Sequence, residues 1–395
     1  MNILVYPHEL AMGGSQINAI ELAAAVRDRG HNVTITAPDG VLSSMVRQLG
    51  LDYVPIPRAP YFPSIATAFQ LSALARRIDA DLIHSYEWRP AIECTFGPHF
   101  FAGTRMLATV LSMDISHLFP RHVSLIVGTQ QLAQTRPAQK IWVLEPPIDD
   151  ERNKARDVIA ARSRWGFHDD EIVVSVICRL TTDLEKVQGV LEAIDVVGSM
   201  VSSFKLRLIV AGDGACKADV DTAAASVNCR HGREIITVTG ELIEPDAVYE
   251  ASDIVLGMGS SALKGMAFSK PLIVQGTEGF WRLFDEQSVN LFLYQGLFGH
   301  GGRGRVELRS ILEKLAADKD RRTILGNFGR LVIEERFSLD LMADRLIEIY
   351  QQTVSEKQPL DKRLGSMSRT LFDVAKFRAK MEWHALRYAV RGRSV

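Results

Sequence analysis

Arg179 and Lys186 follow the apolar run Ile172-Val-Val-Ser-Val-Ile177, close enough in sequence for both cations to reach the mouth of one site. Two cations placed so can neutralise a diphosphate as charge develops on it. The same spacing also allows plain surface pairing with Asp183 and Glu185. Gly13-Gly14-Ser15-Gln16 follows a first apolar run, Asn2-Ile-Leu-Val-Tyr6. It opens a helix for which Ser15 is the expected cap, and its free amides suit a phosphate or sugar oxygen, or no more than a strand-to-helix turn. A second glycine turn, Gly257-Met-Gly-Ser-Ser-Ala262, opens another helix, with Ser260 and Ser261 on it. Gly212-Asp213-Gly214 forms a tight turn out of a buried strand, and Glu241 and Leu242 follow the next.

The elements that must position these groups alternate in type. Strands are predicted at 2–6, 32–36, 53–56, 82–84, 106–111, 125–127 and 141–144, with a helix over 15–29, which is the alternation of parallel βαβ units. Between Glu145 and Asp170 the text changes to Pro146-Pro147 and charged residues, a candidate linker. Strands then resume at 172–177, 206–211, 235–239, 254–256 and 272–274. The expected class is α/β, with an N-terminal Rossmann-like domain at 1–145, a linker at 146–170, a second Rossmann-like domain at 171–350 and a helical tail at 351–395. Two such domains place their strand-end loops on a cleft between them.

Composition sets the limits. With 395 residues, 47% hydrophobic content and net charge −1, the chain has material for more than one core and no basic excess for nucleic acid. Cys94, Cys178, Cys216 and Cys229 lack metal-ligand spacing, and the first strand begins at residue 2, which predicts reduced thiols and a cytosolic protein. No apolar run is long enough to span a bilayer. From Lys362 to Val395 nine Lys/Arg face two acids, and Leu371, Val374, Phe377, Met381, Ala385 and Tyr388 recur at helical spacing. Such a tail either packs on the body or meets an anionic membrane.

Taken in order, Gly13-Gly14, Cys178-Arg179-Leu180 with Lys186, Gly212-Asp213-Gly214, Tyr249-Glu-Ala-Ser-Asp253 and Leu263-Lys-Gly-Met-Ala267 with Lys270-Pro271 resemble the retaining glycosyltransferases of family four, over about residues 1–350. The resemblance implies a GT-B fold, a nucleoside diphosphate sugar as co-substrate held by the second domain, an acceptor held by the first, and no metal or further cofactor. It gives Arg179 and Lys186 the donor diphosphate, Gly14 a place by the transferred sugar with Gly13 beside it, and Glu241 and Leu242 the base. Ser260 and Ser261 would turn amides to the phosphates. Glu278, in Gly276-Thr-Glu-Gly-Phe-Trp281, becomes the carboxylate candidate for an oxocarbenium-like transition state, or else a solvated loop acid.

The chain departs from that family at its glutamate pair. Lys264 stands where the second glutamate would contact the donor ribose, and Leu256 lies in a shortened loop near the first. A charged lysine donates hydrogen bonds but accepts none, so it can bind phosphate or turn outward. Where the family often has a histidine by the reacting sugar, this chain has Ser112-Met113-Asp114, which leaves Asp114, His117 and His84 as acceptor-side candidates. The implied activity is sugar transfer to a small-molecule or lipid-linked acceptor, in secondary metabolism or polysaccharide assembly. Two rivals accompany it. One is a glycosyltransferase-like partner or sensor without turnover, motivated by Lys264, Leu256 and Met113. The other is an NAD(P)-dependent oxidoreductase, since Gly257-x-Gly259-x-x-Ala262 fits a dinucleotide turn with Glu278 downstream.

Overall fold

The computed structural model describes residues 1–391 apart from 113, 243–244 and 357–359, and gives backbone alone for 360–362, 382 and 384–391. The chain divides into two compact units, Met1–Pro146 with Asp340–Val395, and Pro147–Leu339.

In the first unit the strands are β1 (Asn2–Tyr6), β2 (Asn32–Ala37), β3 (Asp52–Pro55), β4 (Leu82–Tyr86), β5 (Arg105–Val110), β6 (Ser124–Val127) and β7 (Ile141–Val143). They form a parallel sheet in the order β3-β2-β1-β4-β5-β6-β7. Near-continuous Val, Ile and Leu runs are what a sheet covered on both faces requires. Leu4, Ile83, Ala108 and Leu125 accordingly sit in one buried cluster. The direction of winding reverses between β1 and β4, the switch point where such sheets leave a crevice at their carboxyl ends.

The second unit repeats the plan with β8 (Ile172–Ile177), β9 (Leu206–Ala211), β10 (Ile236–Gly240), β11 (Ile254–Gly257), β12 (Leu272–Gln275) and β13 (Trp281–Leu283), in the order β10-β9-β8-β11-β12-β13. Its switch point lies between β8 and β11. The last strand runs antiparallel to β12 and is absent from the sequence reading. Three residues are too few to show alternation, and Trp281 is fixed by burial and by its indole donating to Glu192 at 2.8 Å.

Three expectations change. The stretch 146–170 is no spacer: Asp157 caps the helix Val158–Arg164, and Ala161 and Phe167 pack with Val173, Ile209 and Val248 of the second unit. Residues 340–350 belong to the first unit, where the Tyr350 hydroxyl lies 2.7 Å from His84 Nδ1 and Arg29 pairs with Asp340 at 2.9 Å. Amphipathic spacing announces a helix but not the body on which it packs. The tail helix Leu360–Arg391 buries Met367, Thr370 and Val374, and sets Phe377 edge-on to Trp88 with centroids 5.8 Å apart. Leu371 and Met381, expected on that stripe, are exposed, because Leu371 lies about 100° round the helix from buried Thr370 and Met381 lies a turn beyond Phe377. Ala385 and Tyr388 have side chains outside the described set.

His84 is a core residue, not an acceptor-side group. It is 1% exposed, with its Nε2 2.7 Å from Thr109 Oγ1, and burial pushes its pKa down to about 3. Burial also takes His99 to about 4 and His122 to about 3, where the two rings stack at 5.3 Å against the tail helix, with Ser366 Oγ 2.9 Å from His122 Nδ1. An unfolded histidine takes its proton near pH 6.5, so the unfolded chain gains protons first on acidification. The stabilisation is whole above about pH 6.5 and drains away as pH falls toward the folded values, at no more than about 1.4 kcal/mol per pH unit for each ring. Thermal melts followed from neutral pH downward should therefore show a steep loss of stability that His122→Asn flattens; an unchanged slope in that variant would remove His122 from the account.

Candidate functional site

At the carboxyl end of β8 the backbone is held by its neighbour. Cys178 donates to the Ala211 carbonyl at 3.1 Å and Leu180 to that of Asp213 at 2.9 Å. This approach needs glycine at 212, where a Cβ would sit 1.8 Å from the Cys178 oxygen. The turn Gly212-Asp213-Gly214 thus positions Arg179, which is exposed at the strand end. Lys186 opens the helix Lys186–Met200 and pairs with Asp183, whose carboxyl is held below its usual range first by that bond and then by Thr181. The surface pairing foreseen as an alternative is thus realised for Lys186, by Asp183.

Glu185 ties this turn to the loop after β12. Leu184 and Glu185 both take left-handed φ, 52° and 53°, a conformation that costs a non-glycine residue on the order of 1 kcal/mol or more. The Glu185 carboxylate accepts the Glu278 backbone N–H at 2.8 Å, while the Gln275 amide donates to the carbonyls of Glu185 and Lys186 at 3.1 and 3.3 Å. Glu278 is itself left-handed, φ 56°, and exposed. Arg179 and Lys186 thus follow β8 and Glu278 follows β12, with β11 between the two strands and Glu185 joining their loops.

The β11 turn leads into the helix Gly259–Ala267, with Ser260 exposed on its first turn and the Ser261 hydroxyl donating to the Met258 carbonyl at 3.0 Å. Lys264 turns to the start of the helix Asp246–Ala251, its ammonium 3.9 Å from Asp246. Glu241 is exposed at the end of β10, whereas Leu242 packs against the cluster of Ala211, Val248 and Ala251.

In the first unit Gly13 is the N-cap of the helix Gly14–Asp28, which therefore has no side-chain cap; Ser15 lies inside the first turn, not at the cap. Asp114 and His117 are exposed on the loop after β5, and Met113 falls outside the described residues. The β1/β4 switch point instead holds a pocket of about 90 Å³ lined by Tyr6, His8, Arg58, Phe62, Arg89 and Glu93, among others. Tyr6 donates to Glu93 at 2.8 Å, and burial raises the pKa of both. Burial lowers that of His8. The Arg89 guanidinium lies over the rings of Phe62 and Trp88, 5.4 and 5.3 Å from their centroids. Beside the pocket, Glu87 (φ 67°) accepts from the backbone N–H groups of Leu111 and Ser112 at 3.0 and 3.3 Å.

Sequence reasoning missed these residues. The signal was present: Pro7-His8-Glu9 follows β1, and Glu87-Trp88-Arg89 follows β4, as Arg179 follows β8.

No family model and no curated protein matches the chain. Solved structures do. A glycosyltransferase from Rickettsia africae superposes with TM-score 0.73 at 14% identity, covering 90% of this chain and 99% of that one. Anabaena HepE in complex with UDP-glucose gives 0.70 at 17%, covering 89% and 100%. The catalytic domain of starch synthase IV from Arabidopsis thaliana, bound to ADP and acarbose, gives 0.67 at 13%, covering 90% and 100%. At such identities the likeness is one of fold, and the fold is the two-domain α/β architecture called GT-B.

Glu185→Ala should release the loop after β12. Removing one hydrogen bond to a carboxylate is worth about 1.5–3 kcal/mol when fully sheltered and less at this exposed site. Amide exchange at Glu278 should accelerate by about fivefold or more; a protection factor equal to that of the parent would show that Glu185 does not hold the loop.

Proposed function

We propose that this protein is a glycosyltransferase that moves a sugar from a nucleoside diphosphate sugar to a small-molecule or lipid-linked acceptor, with retention and without a metal or other cofactor. The observation that carries the reading is that Arg179 and Lys186 follow β8 in the second unit while the Glu185 carboxylate, next to Lys186, holds the backbone of Glu278 after β12. Two cations and a helix N-terminus at Gly259 are the groups a departing diphosphate requires. The named relatives in complex with UDP-glucose or ADP share the fold that frames this arrangement. Lys186 can exchange Asp183 for phosphate, because the pair is only an i,i+3 contact near the surface. The acceptor falls to the first unit's pocket, where Arg58, Arg89 and Glu93 offer both signs of charge beside Phe62.

Catalysis in this reading is electrostatic. Arg179 and Lys186 bind the diphosphate more tightly as it leaves, and the exposed Glu278 loop supplies the groups that meet the positive charge on the sugar. The oxidoreductase reading loses its footing in the topology. A dinucleotide turn normally follows the first strand of its sheet, here β8, whereas Gly257-x-Gly259 follows β11, across the switch point.

A second reading, donor binding without transfer, is favoured by one observation: Lys264 faces Asp246 where the resembled family presents a glutamate. A panel of nucleoside diphosphate sugars, followed by calorimetry and by release of free nucleotide, separates the two, with binding but no release pointing to the inactive form. Arg179→Ala should weaken donor affinity about 10- to 100-fold; full affinity in that variant would take Arg179 out of the site. If Lys264 holds phosphate, Lys264→Glu should abolish donor binding. If it merely replaces a ribose acceptor, affinity should be kept or improved.

A further inference from the structure

The helix Ile65–Arg77 of the first unit presents an outward face unlike a solvated one. Ile65 and Phe69, one turn apart, are 76% and 55% exposed, followed along the same face by Ala73, Gln70, Arg76 and Arg77. A helix of a soluble body normally turns charged and polar side chains of both signs to water. Here no acid occurs anywhere from Tyr53 to Ile78, although three arginines do.

A second segment extends that face. Phe101 stacks on Phe69 with ring centroids 5.3 Å apart, and Phe100 stands edge-on to Phe101 at 5.1 Å. Both are nearly half exposed. The Arg76 guanidinium donates to the Phe101 carbonyl at 2.6 Å, so a cation is fixed beside the aromatic tip. Residues 94–112, which carry the tip, also contain no acid, and Arg363 of the tail helix reaches the neighbouring His99 carbonyl.

Large apolar side chains left in water as one contiguous group mark a contact surface. Which contact is decided by charge: an apolar centre with arginines beside it complements an anionic lipid surface, where rings enter the interface and guanidinium groups stay with the headgroups. We propose that the first unit docks on anionic membranes through the face formed by Ile65, Phe69, Phe100 and Phe101 with Arg76 and Arg77. The docking face is thus the body of the unit, rather than the basic tail alone. Tyr61, 73% exposed, lies four residues before Ile65 and also lines the pocket, so the docked face carries the pocket close to lipid.

The test uses the full chain with vesicles of phosphatidylcholine alone and of phosphatidylcholine mixed with phosphatidylglycerol, read by co-sedimentation. Binding should require phosphatidylglycerol and weaken with salt. The double variant Arg76→Glu, Arg77→Glu should lose about 20-fold or more in partition, taking about fivefold for each arginine. Phe69→Ser with Phe101→Ser should lose at least as much; where that variant melts early, Phe100→Ser, outside the stack with Phe69, serves instead. Several outcomes would overturn the proposal: no binding by the parent protein, equal binding to phosphatidylcholine alone, variants that partition like the parent, or loss confined to Lys376→Glu with Lys380→Glu on the tail helix. The readout involves no sugar transfer, so it stands or fails apart from the proposed activity.

Discussion

Glu185 is the point on which the second unit's candidate site depends. Its carboxylate closes the gap between the turn after β8 and the loop after β12, two segments 93 residues apart in the chain. Bonding of that kind is needed because parallel strands are linked by hydrogen bonds only along their length. Beyond their ends the loops are held by whatever side chains reach across. The left-handed backbone at Leu184 and Glu185 is the local strain that aims the carboxylate and starts the Lys186 helix on the same side.

The first unit solves the same problem with the same residue type. Glu87, also left-handed, follows β4 and binds the amides that follow β5, as Glu185 binds the amide that follows β12. Burial raises the Glu87 pKa while those hydrogen bonds lower it. A carboxylate accepts several N–H bonds at once, which suits it to gathering loop ends that would otherwise leave donors unpaired. Close in sequence to Glu87, Arg89 and the buried Glu93 line the first unit's pocket with Tyr6. Both units thus place a loop-bridging acid with positive φ at the crevice end of the sheet, one beside cations and the other beside a mixed pocket.

The sequence made the scaffold legible because β-branched runs separated by amphipathic stretches leave few alternatives to a parallel sheet. The parallel strands in both halves and the glycine turns could be placed from spacing alone, whereas the antiparallel β13 could not. His84 could not, since the predicted strand ends at it whereas β4 runs on to Tyr86 and leaves it mid-strand, where Tyr350, 266 residues away, and Thr109 close over it. Nor could Ser15, because the helix begins one residue before it and takes Gly13 as its cap.

By itself, then, the sequence determined two doubly wound sheets and the cations at the end of β8, since those follow from local periodicity and from where a strand must stop. Only the tertiary structure decided the roles of Glu185, Glu87 and Gln275, the pocket around Arg89 and the placement of residues 340–395 on the first unit. These rest on contacts between segments far apart in the chain, and no periodicity within a segment records which distant segment will meet it.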